Sequence, residues 1–167
     1  MKEIEKKFLI EDVSNLDLNK YEKEEIHQDY LYKDTYTVVR RRKITKDGKE
    51  RYLYTVKSSI TGGLGVEELE NEIPKEVYDN FVLNENNHPL EKTRYIIPYI
   101  DGLKIELDIF KGYYKGIMFA EIEYNSEEQY NNIEIPSWFG KELTKKVSNN
   151  AMARLTREEI DNMIKNS

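Results

Sequence analysis

Residues 36–58 read YTVVRRRKIT, then KDGK, then ERYLYTVKS. Two runs rich in β-branched and aromatic residues flank Asp47-Gly48, and Asp-Gly supplies the left-handed backbone that a tight hairpin turn requires. The pattern predicts antiparallel strands over residues 36–45 and 50–58. Side chains two apart along a strand share a face. Arg40 and Arg42 therefore point one way from the first of these strands, and Thr55 and Lys57 share a face of the second. Arg41 points opposite Arg40 and Arg42 and stays off their face.

The same alternation recurs on both sides of this hairpin. Residues 3–9, 26–32, 66–73, 91–98, 103–110 and 118–124 read as further strands, with Pro74 ending one and Asp101-Gly102 marking a second turn. Thr61-Gly62-Gly63-Leu64-Gly65 reads as a connection between strands, not a domain boundary. A short helix is predicted over 75–83, with Val77, Phe81 and Val82 on one side. Ser126 reads as the N-cap of a helix starting at Glu127, and residues 156–165 read as a helix whose Thr156 and Glu159 fit a capping box. Eight strands with hairpin-length connections predict an α+β chain. The expected architecture is a closed eight-stranded antiparallel β-barrel with a few peripheral helices and a C-terminal helix, spanning 1–167 as a single domain.

Charge occupies one face of nearly every strand. Glu3, Glu5 and Lys7 lie opposite Ile4 and Phe8, and Gln28 shares a face with Tyr30. Glu68, Glu70 and Glu72 lie opposite Leu69 and Ile73, and Lys92 shares a face with Arg94. Glu106 and Asp108 lie opposite Ile105, Leu107 and Ile109, and Glu121 and Glu123 lie opposite Ile122 and Tyr124. A sheet with one solvated face also alternates, but these polar faces carry almost no Ser, Thr or Asn. The signs also segregate: acidic pairs fall on strands one, five, seven and eight, and bases on three, four and six. Turned inward, such faces are costly unless something occupies the bore. Opposed carboxylates favour hard divalent cations, while Arg and Lys favour phosphate oxygens. A metal with a polyphosphate satisfies both sets, which points to phosphoryl chemistry in a tunnel.

Composition narrows the alternatives. Charged residues make up 35% of the chain, yet 13 Tyr and 5 Phe argue for a packed core over disorder. A net charge of −6 argues against a nucleic-acid partner. The absence of cysteine excludes disulfides, thiolate catalysis and cysteine-held zinc. No run of about 20 apolar residues occurs, so no membrane span is expected. Residues 1–10 lack the apolar core of a signal peptide, so a cytoplasmic location is expected.

Several segments together resemble one family. Glu3-Ile4-Glu5-Lys6-Lys7 is similar to the Glu-x-Glu-x-Lys signature of the CYTH superfamily, the triphosphate tunnel metalloenzymes. The resemblance continues in order through Gln28-Asp29-Tyr30-Leu31, the Arg-x-Arg of Arg40 and Arg42, Thr55-Val56-Lys57, and Glu68-Leu69-Glu70. It extends through Glu91-Lys92-Thr93-Arg94-Tyr95, Glu106-Leu107-Asp108-Ile109-Phe110 and Glu121-Ile122-Glu123. Trp138-Phe139-Gly140 and Asn149-Asn150-Ala151 resemble the small bacterial inorganic triphosphatases of that group.

The resemblance implies an eight-stranded tunnel, a small-molecule triphosphate substrate and Mg²⁺ or Mn²⁺. It implies Lys7, Arg40, Arg42, Lys57, Lys92 and Arg94 as triphosphate contacts and Glu3, Glu5, Glu121 and Glu123 as metal ligands. Glu68, Glu70, Glu106 and Asp108 would also line the bore. Glu68 and Glu70, with Lys7 and Tyr30, are the candidate catalytic groups. Two departures stand out. Val66 replaces an expected Arg, and Val147 and Ser148 precede Asn149 where a Tyr and a basic residue are expected. The second lies in a segment that helps close the tunnel and bears on substrate preference.

The expected reaction is metal-dependent hydrolysis of inorganic triphosphate to diphosphate and phosphate. Class IV adenylyl cyclase, thiamine triphosphatase, nucleoside triphosphatase and a non-catalytic polyphosphate- or nucleotide-binding module are the competing readings. The assembly state is open, a homodimer included. His27 and His88 read as unpaired histidines with surface or structural roles, and Trp138 with Phe139 as a packing anchor.

Overall fold

Asp47 and Gly48 take left-handed backbone, with φ of 51° and 76°. The turn they make pairs β3 (Thr37–Lys46) with β4 (Lys49–Ser59), from Lys46 opposite Lys49 to Thr37 opposite Ser58. The structure is a computed structural model that describes residues 2–59 and 65–167. Most of the Thr61–Gly65 connection lies outside the described residues.

The other strands are β1 (Lys2–Leu9), β2 (Glu22–Lys33), β5 (Val66–Glu72), β6 (Leu90–Pro98), β7 (Lys104–Lys111) and β8 (Met118–Tyr124). They close into a barrel in the order β1-β5-β4-β3-β2-β6-β7-β8, with every neighbouring pair antiparallel. The helices are α1 (Lys75–Asp79), α2 (Glu127–Asn132), α3 (Asn149–Met152) and α4 (Arg157–Lys165). Ser126 caps α2 by accepting from Gln129 N, and Thr156 with Glu159 forms a full capping box on α4. Among the described residues no helix is long and apolar enough to cross a membrane.

Apolar side chains cover the barrel outside and plug it inside. Ile4, Ile105, Leu107, Ala120 and Ile122 point outward from β1, β7 and β8 and are buried under Val13, Leu16, Tyr130, Ile133 and Trp138. Phe8 packs on Phe139 at 5.0 Å between ring centroids. Tyr30, Leu90, Phe110 and Phe119 share the bore face of their strands and are sealed by Leu143, Val147, Met152 and Ile160. Elsewhere in the bore Ile26, Ile44 and Leu53 form a smaller buried cluster. Each fully buried Leu, Ile, Met or Phe contributes about 1.5–3 kcal/mol. The C-terminal plug therefore offsets the several kcal/mol that burying a charged group costs.

Residues 140–144 act as an extra edge for β1. Among the described residues β1 pairs with β5 only at Lys2 opposite Glu67 and Glu3 opposite Val66. Farther along, Gly140 N donates to Leu9 O, Leu9 N to Lys141 O, and Leu143 N to Lys7 O, at 2.7–2.8 Å. A Cβ at position 140 would stand 2.7 Å from Leu9 O, so the approach requires glycine.

Three sequence expectations need correction. α1 ends at Asp79, not at residue 83, and buries Tyr78 while Val77 and Val82 are exposed. The cause is Tyr78, whose ring packs on Tyr52 and lies under the Arg41 guanidinium. β2 starts at Glu22, because Glu22–Glu25 hold the ladder to β6 without any apolar alternation to reveal it. His27 is not unpaired: its ring nitrogens stand 3.3 Å from Asp29 and 3.3 Å from Glu91. Asp29 in turn accepts from Arg41 Nε at 2.9 Å, and Arg41 donates to the Tyr78 carbonyl at 2.6 Å. Arg41 thus anchors α1 on the outside of the barrel.

Candidate active site

The strand order converts the segregation of signs into two walls. β7, β8, β1 and β5 are consecutive around the barrel and bring together Glu106, Glu121, Glu123, Glu3, Glu5, Glu68 and Glu70. β4, β3, β2 and β6 are likewise consecutive and bring Lys57, Arg40, Arg42, Gln28, Tyr30, Lys92 and Arg94. A carboxylate arc faces a cationic arc, with Lys7 as a cation set among the acids.

Between the arcs lies a cavity of about 410 Å³. Its wall includes Glu3, Glu5, Lys7, Tyr30, Arg40, Arg42, Lys57, Glu68, Glu70, Arg94, Glu106, Glu121 and Glu123. Lys92 and Asp108 do not reach it. Their side chains are 0% and 2% exposed, and Lys92 Nζ stands 2.7 Å from Asp108 Oδ2. Burial lowers the Lys92 ammonium to about 7, with Arg94 and Arg42 assisting and Asp108 opposing.

The cations differ in how far the protein itself satisfies them. Arg94 forks onto Asp108 at 2.8 and 2.9 Å and also pairs with Glu106. Lys57 Nζ lies 3.0 Å from Glu3 and 3.7 Å from Glu68. Arg40 stands 3.8 Å from Glu70, whose carboxylate accepts from Thr55 at 2.8 Å. The Nε donors of Arg40 and Arg42 are buried and have no hydrogen-bond partner among the described residues. Burial, then the guanidinium groups of Arg40 and Arg94, lowers Arg42 to about 10. Tyr30 Oη accepts from Gln28 Nε2 at 2.8 Å, which leaves its own proton available to another acceptor.

The acidic arc carries more carboxylates than can ionise together. Burial raises Glu5 well above the usual carboxylate range, and Glu121 and Glu3 push it further. Burial and a hydrogen bond with Glu3 lift Glu68 to about 7. Glu3, against the effect of burial, is held down to about 2 by Lys57. Burial, then Glu3 and Glu106, raises Glu123. Among the described residues no group of three acidic or histidine side chains is spaced to hold a metal ion as it stands.

The sequence did not single out the wall contributed from outside the barrel. Thr144, Lys145, Asn149 and Asn150 line the cavity, as do Lys33 at the end of β2 and Tyr36 of the β2–β3 connection. Their sequence signals were Asn149-Asn150-Ala151 and the Val147-Ser148 departure before it. Val66 and Val147, the two departures, also face the cavity.

A closed barrel with these opposed walls is the architecture of a tunnel phosphohydrolase. Comparison with known proteins agrees. No family model matches the chain. It is 34% identical over 155 residues to an inorganic triphosphatase of Nitrosomonas europaea, covering 92% of this chain and 97% of that protein. The chain belongs to the CYTH superfamily, the triphosphate tunnel metalloenzymes. A crystal structure of an inorganic triphosphatase superposes with a TM-score of 0.60 at 29% identity, covering 93% of this chain and 96% of that one. A Pyrococcus horikoshii OT3 protein shares the fold, with a TM-score of 0.57 at 23% identity over 77% of this chain and 82% of its own.

Proposed function

We propose that this protein hydrolyses inorganic triphosphate to diphosphate and phosphate with a divalent metal, Mg²⁺ or Mn²⁺. The observation that carries the reading is the pair of buried guanidinium Nε donors, on Arg40 and Arg42, without acceptors among the described residues. A buried cationic donor left unpaired is costly, and a phosphate oxygen is the acceptor that guanidinium geometry suits.

The acidic arc fits the metal by its chemistry. Glu3, Glu5, Glu121 and Glu123 are oxygen donors crowded to the point that Glu5 and Glu123 resist ionising, and a hard cation would relieve that crowding. These four residues would hold it, and a bound divalent cation supplies Lewis-acid polarisation of a phosphoryl oxygen.

The protein's own groups do the remaining work. Arg40, Arg42 and Arg94 would hold the phosphoryl oxygens and neutralise charge spreading over them in the transition state. Lys7 and Lys57 would steady the departing diphosphate. Water attacks the terminal phosphorus as the bridging P–O bond breaks. Glu68, ionised for much of the time near neutral pH, would take the water proton, with Glu70 assisting and Tyr30 donating to a phosphate oxygen. Lys92 would act from behind the wall, tuning Asp108 and through it Arg94.

Phosphate release from inorganic triphosphate and from ATP, measured side by side with Mg²⁺, Mn²⁺ or chelator, tests the reading. Fast metal-dependent release from triphosphate with ATP slower is expected. A preference for ATP, or cyclic AMP with diphosphate as products, would overturn it.

A further inference from the structure

The segment following the last barrel strand meets Lys7 at three points. Lys7 N donates to Thr144 Oγ1 at 3.0 Å, Lys7 O accepts from Leu143 N at 2.7 Å, and Lys7 Nζ donates to Asn149 Oδ1 at 3.4 Å. Leu143, Val147 and Met152 are almost completely buried and root this segment in the plug. Ser148 Oγ accepts from Ala151 N, which starts α3 and fixes where Asn149 begins it. Asn149 therefore sits on a rigid support, not on a free loop.

The surroundings of Lys7 Nζ show what the amide does. Glu121 Oε1 is 3.9 Å away, beyond hydrogen-bond contact, and the Phe119 ring centroid is 4.5 Å away. Left to itself, an ammonium facing a carboxylate in a low-dielectric bore closes to contact and spends its charge there. The neutral amide oxygen of Asn149, at 3.4 Å, gives the ammonium another acceptor without cancelling its charge.

We infer that Asn149 is a positioning residue that holds Lys7 off Glu121, so that the ammonium stays presented to the substrate. The inference rests on the proposed triphosphate site and adds a residue from outside the barrel to it. Without Asn149, Lys7 swings onto Glu121 and the cavity loses one phosphate contact, although no charge has been removed from the chain.

A double-mutant cycle tests this, with Lys7→Ala, Asn149→Ala and the combination. The first readout is binding of inorganic triphosphate in chelator by calorimetry, and the second is steady-state hydrolysis with metal. Asn149→Ala should weaken metal-free binding about as much as Lys7→Ala, several-fold to tenfold, and the double variant should be no worse than either. Its thermal midpoint should stay within a few degrees of wild type. Asn149→Ser, which keeps a short oxygen acceptor, should recover part of the loss and covers the case in which the alanine variant does not fold. Additive losses in the cycle, or full affinity in Asn149→Ala, would overturn the inference. Wild-type protein that binds no triphosphate would instead overturn the function on which it rests.

Discussion

Asp108 serves two buried cations at once: Oδ2 lies 2.7 Å from Lys92 Nζ, and the same carboxylate receives the fork from Arg94. Breaking a buried ion pair by removing one partner costs about 3–5 kcal/mol. For a chain of this size about 2–4 °C of Tm follows each kcal/mol. Asp108→Ala, which strands both cations, should therefore lower Tm by about 6–20 °C. Lys92→Met leaves Asp108 with Arg94 and keeps the volume, so its loss should be much smaller. Thermal unfolding of the two variants side by side checks this, and equal losses would show that Lys92, not Arg94, carries the carboxylate.

Arg41 and Arg42 are neighbours in sequence and should respond in opposite ways. Arg41 is satisfied by Asp29 and the Tyr78 carbonyl, whereas Arg42 Nε is buried without a partner. Arg42→Met should lower kcat/KM by about 10²–10³-fold, the range seen on removing one preorganised donor, while Tm holds or rises because a buried donor with no hydrogen-bond partner among the described residues is gone. Arg41→Met should lower Tm and leave kcat/KM within a few-fold of wild type. Steady-state kinetics and a melt on each variant decide the matter, and an inactive but unmelted Arg41 variant would contradict the inside–outside assignment.

Acidity should stabilise the metal-free protein over a defined window. Glu68 is raised from 4.5 to about 7, and Glu5 is raised as well. The folded state therefore keeps protons that the unfolded chain has released between about pH 4.5 and 7. Stabilisation from Glu68 is complete below 4.5 and gone once pH has passed about 7, and Glu5 acts in the same sense. Carboxylates lowered by folding, Asp108 among them, act in the opposite sense but below this window. In chelator, Tm should fall as pH rises from 5.5 to 7; above 7 the Lys92 ammonium, lowered to about 7 by burial, acts in the opposite sense. Added Mn²⁺ should raise Tm more at pH 8 than at 5.5, because protons compete with metal for the same oxygens. A chelated Tm that climbs with pH across this range would reject the account.

Gly140 tests the fastening of the C-terminal segment. A methyl group there would meet the Leu9 carbonyl at 2.7 Å, so Gly140→Ala should push residues 140–144 off β1. Faster hydrogen exchange at the Leu9 and Leu143 amides, whose bonds cross that seam, is the expected outcome. Unchanged protection would mean the backbone absorbs the clash.

The barrel was legible because alternation is a local signal and charge made it loud. Arg40 with Arg42, Glu68 with Glu70 and Glu121 with Glu123 could each be assigned a face from spacing alone. What spacing could not show was depth. Lys92 and Arg94 share a face, yet one is sealed behind the cavity and the other lines it; Phe110 stands opposite Lys92 across the ladder with its ring centroid 5.5 Å from Nζ. Nor could the sequence show Asn149 reaching a lysine 142 positions away, since only the packing of Leu143 and Val147 brings them together. The length of α1 was misread because the apolar face of 77–82 competed with the single contact that matters, Tyr78 under Arg41.

β1 sits between β5 and β8 in the closed order, and this imposes a timetable on assembly. Its long seam runs against residues 119–124, from Ile4 opposite Tyr124 to Leu9 opposite Phe119. Of the eight barrel strands, β1 must therefore wait for the one farthest from it in sequence, and loop closure over such a distance is slow. Glu3, Glu5 and Lys7 are carried on that waiting strand, so the chain can form its hairpins before it has an active site. Pulse-labelled amides of β1 should gain protection together with β8 and after the β3–β4 hairpin, making catalytic competence the final event of folding.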